Sequence, residues 1–169
     1  VRLGNRLYDE SHINWFEEPC PPEGLEALRS VRQQLRAPMC LGERLFTRWD
    51  YSRILHEGLT DFIMPDVTWT GGISELKKIS TMAETYYIPI SPHNAQGPGQ
   101  ILGGAHVSIS TPNFYRLEHA LDFKPGYDRY MTEPFNWQGN KLVLNGKPGL
   151  GIDLDMDAVR ADLHPNWVV

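Results

Sequence analysis

The sequence predicts an α/β fold of parallel strands joined by crossover helices, closed into a (β/α) barrel or part of one. Along residues 13–119 a short apolar run, a turn and an amphipathic helix recur, which is the pattern of parallel strands with helical crossovers. The polar residues closing the runs are Glu17, Glu43, Asp66, His93 and Glu118, spaced 26, 23, 27 and 25 residues apart, or one βα unit each time. In a barrel the C-terminal ends of successive strands share one face, so ionisable groups placed there converge. A doubly wound open sheet would spread them along an edge, and no Gly-rich dinucleotide or phosphate loop follows the first run.

Each element has its own local reason. The first run, Ile13 to Phe16, meets Pro21-Pro22-Glu23 and a helix through Leu25, Leu28, Val31 and Leu35. Intervals of three and four put those residues on one helical face. Pro22 suits a helix start and Glu23 its positive end. The second run, Met39-Cys40-Leu41, closes on Gly42-Glu43-Arg44, and a helix over 49–57 stops at Gly58. The third, Phe62-Ile63-Met64, closes on Pro65-Asp66, and its helix over 73–86 is entered through Gly71-Gly72. The fourth, Ile88-Pro89-Ile90, closes on Ser91-Pro92-His93; a Gly/Pro-rich loop then leads to a helix over 100–110. The fifth, Phe114 to Leu117, closes on Glu118-His119. Beyond it the rhythm breaks. Residues 1–119 therefore read as a partial barrel carrying the strand-end groups. Residues 120–169 read as a tail of loops with a hairpin around Trp137, packed on the barrel end or on a cap.

Composition excludes several classes. The 169 residues are 41% hydrophobic and 22% charged with a net charge of −5, as in an ordinary globular protein rather than a nucleic-acid binder. No apolar run reaches the length that crosses a bilayer, so no membrane partner is expected. Cys20 and Cys40 lack metal-ligand spacing, and a reducing, cytoplasmic setting is expected. The start lacks an initiator Met and reads like the middle of a helix, which suggests a piece of a longer chain.

The strand-end residues point to a chemistry. Carboxylates on adjacent strands, Glu17 and Glu43, can share one hard divalent cation through oxygen, with Mg²⁺ the natural choice. Asp66 and His93, on the next two strands, can hydrogen-bond, so that the carboxylate orients the ring and tunes a base near neutral pH. Glu118 completes the ring of groups. Glu18 is a separate question: strand side chains alternate, so Glu17 and Glu18 cannot face one site together.

Trp15-Phe16-Glu17-Glu18-Pro19, Gly42-Glu43-Arg44, Met64-Pro65-Asp66 with Gly71-Gly72-Ile73, Ser91-Pro92-His93 and Leu117-Glu118 together resemble the C-terminal barrel half of the enolase superfamily. Within it they resemble the mandelate racemase/muconate lactonizing enzyme-like branch and its galactonate-type acid-sugar dehydratases. The resemblance implies the C-terminal part of a (β/α)7β barrel, about five βα units, without the N-terminal capping domain and the first three strands. It implies Glu17 and Glu43 as Mg²⁺ ligands, His93 as general base or as the acid of the elimination, Asp66 as its partner, and Glu118 near the substrate carboxylate or enediolate. Arg44 and Asn94 become candidate substrate contacts. The implied reaction removes the proton α to a carboxylate and expels the neighbouring hydroxyl, giving a 2-keto-3-deoxy sugar acid.

The expected partner is a small sugar acid, and the parent protein is expected to be a homo-oligomer. Two alternatives stay open. A racemase or cycloisomerase would use the same His93–Asp66 pair. A truncated, inactive domain would follow from a missing third metal ligand and a missing second acid/base.

Overall fold

The first three apolar runs become strands β1 (Phe16–Glu17), β2 (Met39–Leu41) and β3 (Phe62–Ile63), parallel and in that order. The computed structural model describes residues 1–164. Phe16 sits opposite Met39 and Glu17 opposite Cys40; Cys40 then faces Phe62 and Leu41 faces Ile63. The parallel series continues through single bridges, Ile63 to Ile90, Asp66 to His93 and Ile90 to Phe114.

The fourth and fifth runs therefore align with the sheet, but they do not form the full strands that their apolar sequence predicts. Pro89 and Pro92 have no N–H to give a ladder. What remains is carried by Ile90 N to Asn113 O (2.9 Å), Ser91 N to Ile63 O (2.8 Å) and Tyr115 N to Ile90 O (2.8 Å).

The helices fall where periodicity predicts them, with ends shifted by a residue or two. They are α1 (Arg2–Ser11), α2 (Leu25–Gln34), α3 (Arg48–His56), α4 (Ile73–Thr85) and α5 (Pro98–Ser108). Asp50 closes the start of α3 by accepting from Thr47 N at 3.1 Å, a capping interaction that satisfies an otherwise orphaned donor. Gly58, at φ +63°, ends it in the left-handed region that glycine enters without strain.

Between helices and sheet lies the core. Leu28, Met39, Leu41, Tyr51, Ile54, Ile63, Ile79 and Ile90 are essentially inaccessible, each worth about 1.5–3 kcal/mol of burial. On the inner side of the sheet three rings meet: Trp15 and Phe62 at 5.4 Å, Phe62 and Tyr115 at 5.2 Å, Trp15 and Tyr115 at 6.1 Å. They come from the first, third and fifth runs, as alternate strands supply one layer of a barrel interior.

The tail is more helical than its sequence suggests. After a 3-10 turn (Leu121–Phe123) come α6 (Lys124–Arg129), the antiparallel pair β4 (Trp137–Gln138) and β5 (Lys141–Leu142), and α7 (Met156–Ala161). Asp155 starts α7 by accepting from Asp157 N and Ala158 N, both at 3.0 Å. Tyr127, Met131 and Phe135 pack on Ile101 and Leu102 of α5, tying the tail to the last barrel helix. The final five residues of the predicted tail, 165–169, lie outside the described residues. Among the described residues, no helix is long and apolar enough to cross a membrane.

Candidate active site

The parallel register decides which side chains meet. Because Asp66 bridges His93 directly, their side chains leave the sheet edge side by side, and Asp66 Oδ2 lies 2.8 Å from His93 Nδ1. The other ring nitrogen, Nε2, is 3.0 Å from Glu43 Oε2 and 3.8 Å from Glu118 Oε2. One imidazole thus joins the ends of four successive runs.

Asp66 has no exposed surface, yet it is ionised. Burial alone would push its carboxyl up, but bonds from His93, Thr68 and Gln100 outweigh this and hold it down at about 2. Thr68 N donates to Oδ1 at 2.7 Å, the Thr68 hydroxyl at 2.5 Å and Trp69 N at 3.2 Å, while Gln100 Nε2 donates to Oδ2. The first three of these bonds form an Asx-type turn. For His93, burial again opposes the charged ring, but the bond to Asp66 and the charges of Glu118 and Glu43 prevail and raise its pKa above the ordinary 6.5. Such tuning of an imidazole by flanking carboxylates is what proton transfer to and from carbon requires.

Glu17 ends β1. Partial burial raises its carboxyl above the ordinary 4.5; the Trp15 indole, donating at 3.4 Å, opposes this, while the charges of Glu118 and Glu43 add to it. A partly buried carboxylate beside two others belongs to an oxygen-rich donor set short of positive charge, the kind a hard divalent cation satisfies. Glu17 and Glu43 fit Mg²⁺ in the chemistry of their oxygens, while no group of three or more His, Cys, Asp or Glu arranged around a metal occurs among the described residues.

Glu18 faces elsewhere. It adopts φ +34°, and its side chain reaches across to the next strand end. Gly42 N donates to Oε1 at 3.2 Å and Arg44 Nε to Oε2 at 2.6 Å. Gly42 itself, at φ +137°, leaves space only for hydrogen, since a Cβ would meet Tyr51 at 3.0 Å. The Tyr51 hydroxyl donates to Gly42 O at 2.6 Å, so the backbone that presents Glu43 is fixed from both sides.

A sequence profile described as Enolase C-terminal domain-like matches residues 1–158. The chain belongs to this family. It is similar to the D-xylonate dehydratase of Haloferax volcanii, with 32% identity over 96% of the chain and 39% of that protein. The D-gluconate/D-galactonate dehydratase of Picrophilus torridus is 31% identical over 100% of the chain and 46% of its own length. A solved mandelate racemase/muconate lactonizing enzyme-like protein from Rubrobacter xylanophilus superposes with a TM-score of 0.88 at 34% identity, covering 97% of the chain and 42% of that protein. The chain thus spans less than half the length of the curated relatives it matches.

This enolase C-terminal domain gathers Glu43, Asp66, His93 and Glu118 around one ring, with Glu17 near enough to feel two of the carboxylates. Two predicted substrate contacts behave differently. Arg44 is already engaged by Glu18, so its guanidinium serves the β1–β2 strand ends. The Asn94 side chain is not a surface group at all: the residue is 1% exposed and its Nδ2 donates to Pro92 O at 2.8 Å. What Asn94 offers the site is its backbone N–H, which holds Glu118 Oε2 at 3.1 Å. His119, the neighbour of Glu118, stacks on Trp137 with centroids 4.8 Å apart. Burial, then Lys124, lowers its pKa. Sequence reading missed Thr68 and Gln100. Thr68 is legible in hindsight as a hydroxyl two residues after a strand-end aspartate, but Gln100 lies 34 residues from its partner and carries no local signal.

Proposed function

We propose that these residues form the catalytic C-terminal part of a magnesium-dependent acid-sugar dehydratase, resembling galactonate dehydratase in its reaction. In this reading they supply about five βα units that follow three further strands, with 1–119 carrying the strand-end groups and 120–169 covering the barrel end. The observation that carries the reading is the placement of His93. Its Nδ1 is fixed by a buried carboxylate at 2.8 Å while its Nε2 looks out between Glu43 and Glu118.

His93 Nε2 takes the proton α to the substrate carboxylate, and Asp66 stabilises the imidazolium that forms. The electron pair left on carbon moves toward the carboxylate and then forms the new double bond as the β C–O bond breaks. The departing hydroxyl takes the proton that His93 carries and leaves as water, which returns the imidazole to its neutral form, and the enol tautomerises to the 2-keto-3-deoxy acid. Glu118, held by Asn94 N, hydrogen-bonds at the substrate carboxylate end. Glu17 and Glu43 would hold Mg²⁺, which when bound neutralises charge developing on the carboxylate oxygens. With two of its ligands in these residues, the 169-residue chain alone is proposed to bind the ion weakly and not to turn over.

The test uses the full-length protein with Mg²⁺ and a panel of aldonates and aldarates in D2O. Loss of substrate to a 2-keto-3-deoxy acid is expected, and His93→Asn should abolish both this and α-deuterium exchange while leaving Mg²⁺ affinity nearly intact. Wild-type exchange in that variant would refute the base assignment. Exchange without elimination would move the protein to the racemases or cycloisomerases.

A further inference from the structure

We propose that Gln100 is a positioning residue, which fixes the hydrogen-bond polarity of the Asp66–His93 pair and ties it to the loop over residues 94–97. The inference rests on the base role assigned to His93 and goes beyond it to a residue outside the ring of strand-end groups. Gln100 lies in the first turn of α5 and is 4% exposed. Its Oε1 accepts from Ala95 N at 2.9 Å and from Gln96 N at 2.6 Å. Backbone N–H groups can only donate, so the amide cannot turn round: its oxygen must face the loop and its NH2 must face Asp66. There Nε2 donates to Oδ2, the oxygen that also meets His93 Nδ1.

The consequence is a one-way arrangement of protons. Asp66 Oδ1 is filled by Thr68 N, the Thr68 hydroxyl and Trp69 N, and Oδ2 by the Gln100 amide. The Thr68 and Trp69 N–H groups and the Gln100 amide can only donate to the carboxylate, so it is held as an acceptor and the hydrogen on the Asp66–His93 bond belongs to Nδ1. Nε2, 3.0 Å from Glu43 Oε2 and 3.8 Å from Glu118 Oε2, is thereby the nitrogen whose proton comes and goes. The loop is drawn into the same arrangement: Asn94 N holds Glu118 while Ala95 N and Gln96 N hold Gln100. Three consecutive backbone donors thus strap the carboxylate on one side of His93 to the support of the carboxylate on the other.

Gln100→Glu separates the two roles of the amide. A carboxyl keeps the acceptor for Ala95 N and Gln96 N. At a pH high enough to ionise it beside Asp66, it turns the donor to Asp66 into a like charge, so the readings are taken across a pH series. In the full-length protein, ¹H NMR of the His93 Nδ1 proton and amide exchange at residues 95 and 96 are read together with sugar-acid turnover. The expected result is loss of the downfield Nδ1–H resonance, retained protection of the two amides, and a kcat about ten- to a hundredfold lower at little-changed KM. A wild-type resonance overturns the proposal, and so does its loss together with the amide protection, which would make Gln100 a packing residue only. Gln100→Met, of similar length and without an amide, covers the case in which the charged variant does not fold. It should lose resonance and protection together, and a retained resonance again overturns the assignment. The resonance and exchange readings do not depend on turnover. If the wild-type protein dehydrates no sugar acid, the functional reading fails while Gln100 is still tested.

Discussion

Asp66→Asn should separate stability from proton transfer in one substitution. The wild-type carboxyl titrates at about 2 against an ordinary 3.8. At about 1.4 kcal/mol per pH unit, the folded state favours the ionised form by about 2 kcal/mol. Because the folded pKa is depressed, that stability is fully present above about pH 4 and is lost as the pH falls toward 2. Asparagine keeps the shape but must place an NH2 where one of two donor-facing oxygens stood. At Oδ1 it would oppose two backbone N–H groups and a hydroxyl; at Oδ2 it opposes the Gln100 amide and His93. The second choice is less costly because the imidazole can answer by moving its proton to Nε2. The base nitrogen then becomes a donor, and α-proton exchange should fall by about 10²–10⁴. Urea unfolding between pH 2 and 7 measures the first effect and exchange into D2O the second. The reasoning fails if the stability gap between wild type and variant is as wide at pH 2 as at pH 7.

Glu17→Gln should raise thermal stability in the absence of divalent ions, because the neutral side chain escapes first the cost of burying a charge and then the repulsion from Glu118 and Glu43. The folded pKa is raised, so the wild-type penalty is present at neutral pH and disappears below the ordinary 4.5. Adding Mg²⁺ should stabilise wild type and not the variant; equal Tm gains would mean that Glu17 is not a ligand. Glu18→Ala should cost about 2 kcal/mol, since it strands the Gly42 N–H, whereas Arg44→Ala, at a half-exposed pair, should cost less than about 1 kcal/mol. Glu18→Gly should recover about 1 kcal/mol relative to alanine, because glycine takes the positive φ freely. Chemical denaturation of the three variants checks the order.

The fold was most legible where period and punctuation agreed. Met39-Cys40-Leu41 is a strand as its apolar run implies, and α4 starts at Ile73 after the glycine pair. Where prolines interrupt, hydrophobicity alone overstates regular structure, so the runs around Ile90 and Phe114 keep their place in the parallel series through isolated bridges only. Lys124-Pro-Gly-Tyr-Asp-Arg hides α6 because its proline and glycine mimic a turn, although proline is harmless in a first helical turn. Within the site, the strand-end groups could be read because spacing of one βα unit brings them to one face. For Arg44 and Asn94 the direction of the side chain is set by its partner, which is Glu18, 26 residues away, for the first and the Pro92 carbonyl, two residues back, for the second.

The hydrogen bond from Trp15 to Glu17 also makes the site visible to light. The indole N–H rests 3.4 Å from a carboxylate oxygen, and its ring contacts Phe62 and Tyr115. Whatever claims that carboxylate, a proton or a cation, withdraws an acceptor from an emitting ring. With the other four tryptophans replaced by phenylalanine, fluorescence from this indole is expected to follow the charge state at the end of β1 without any label being introduced.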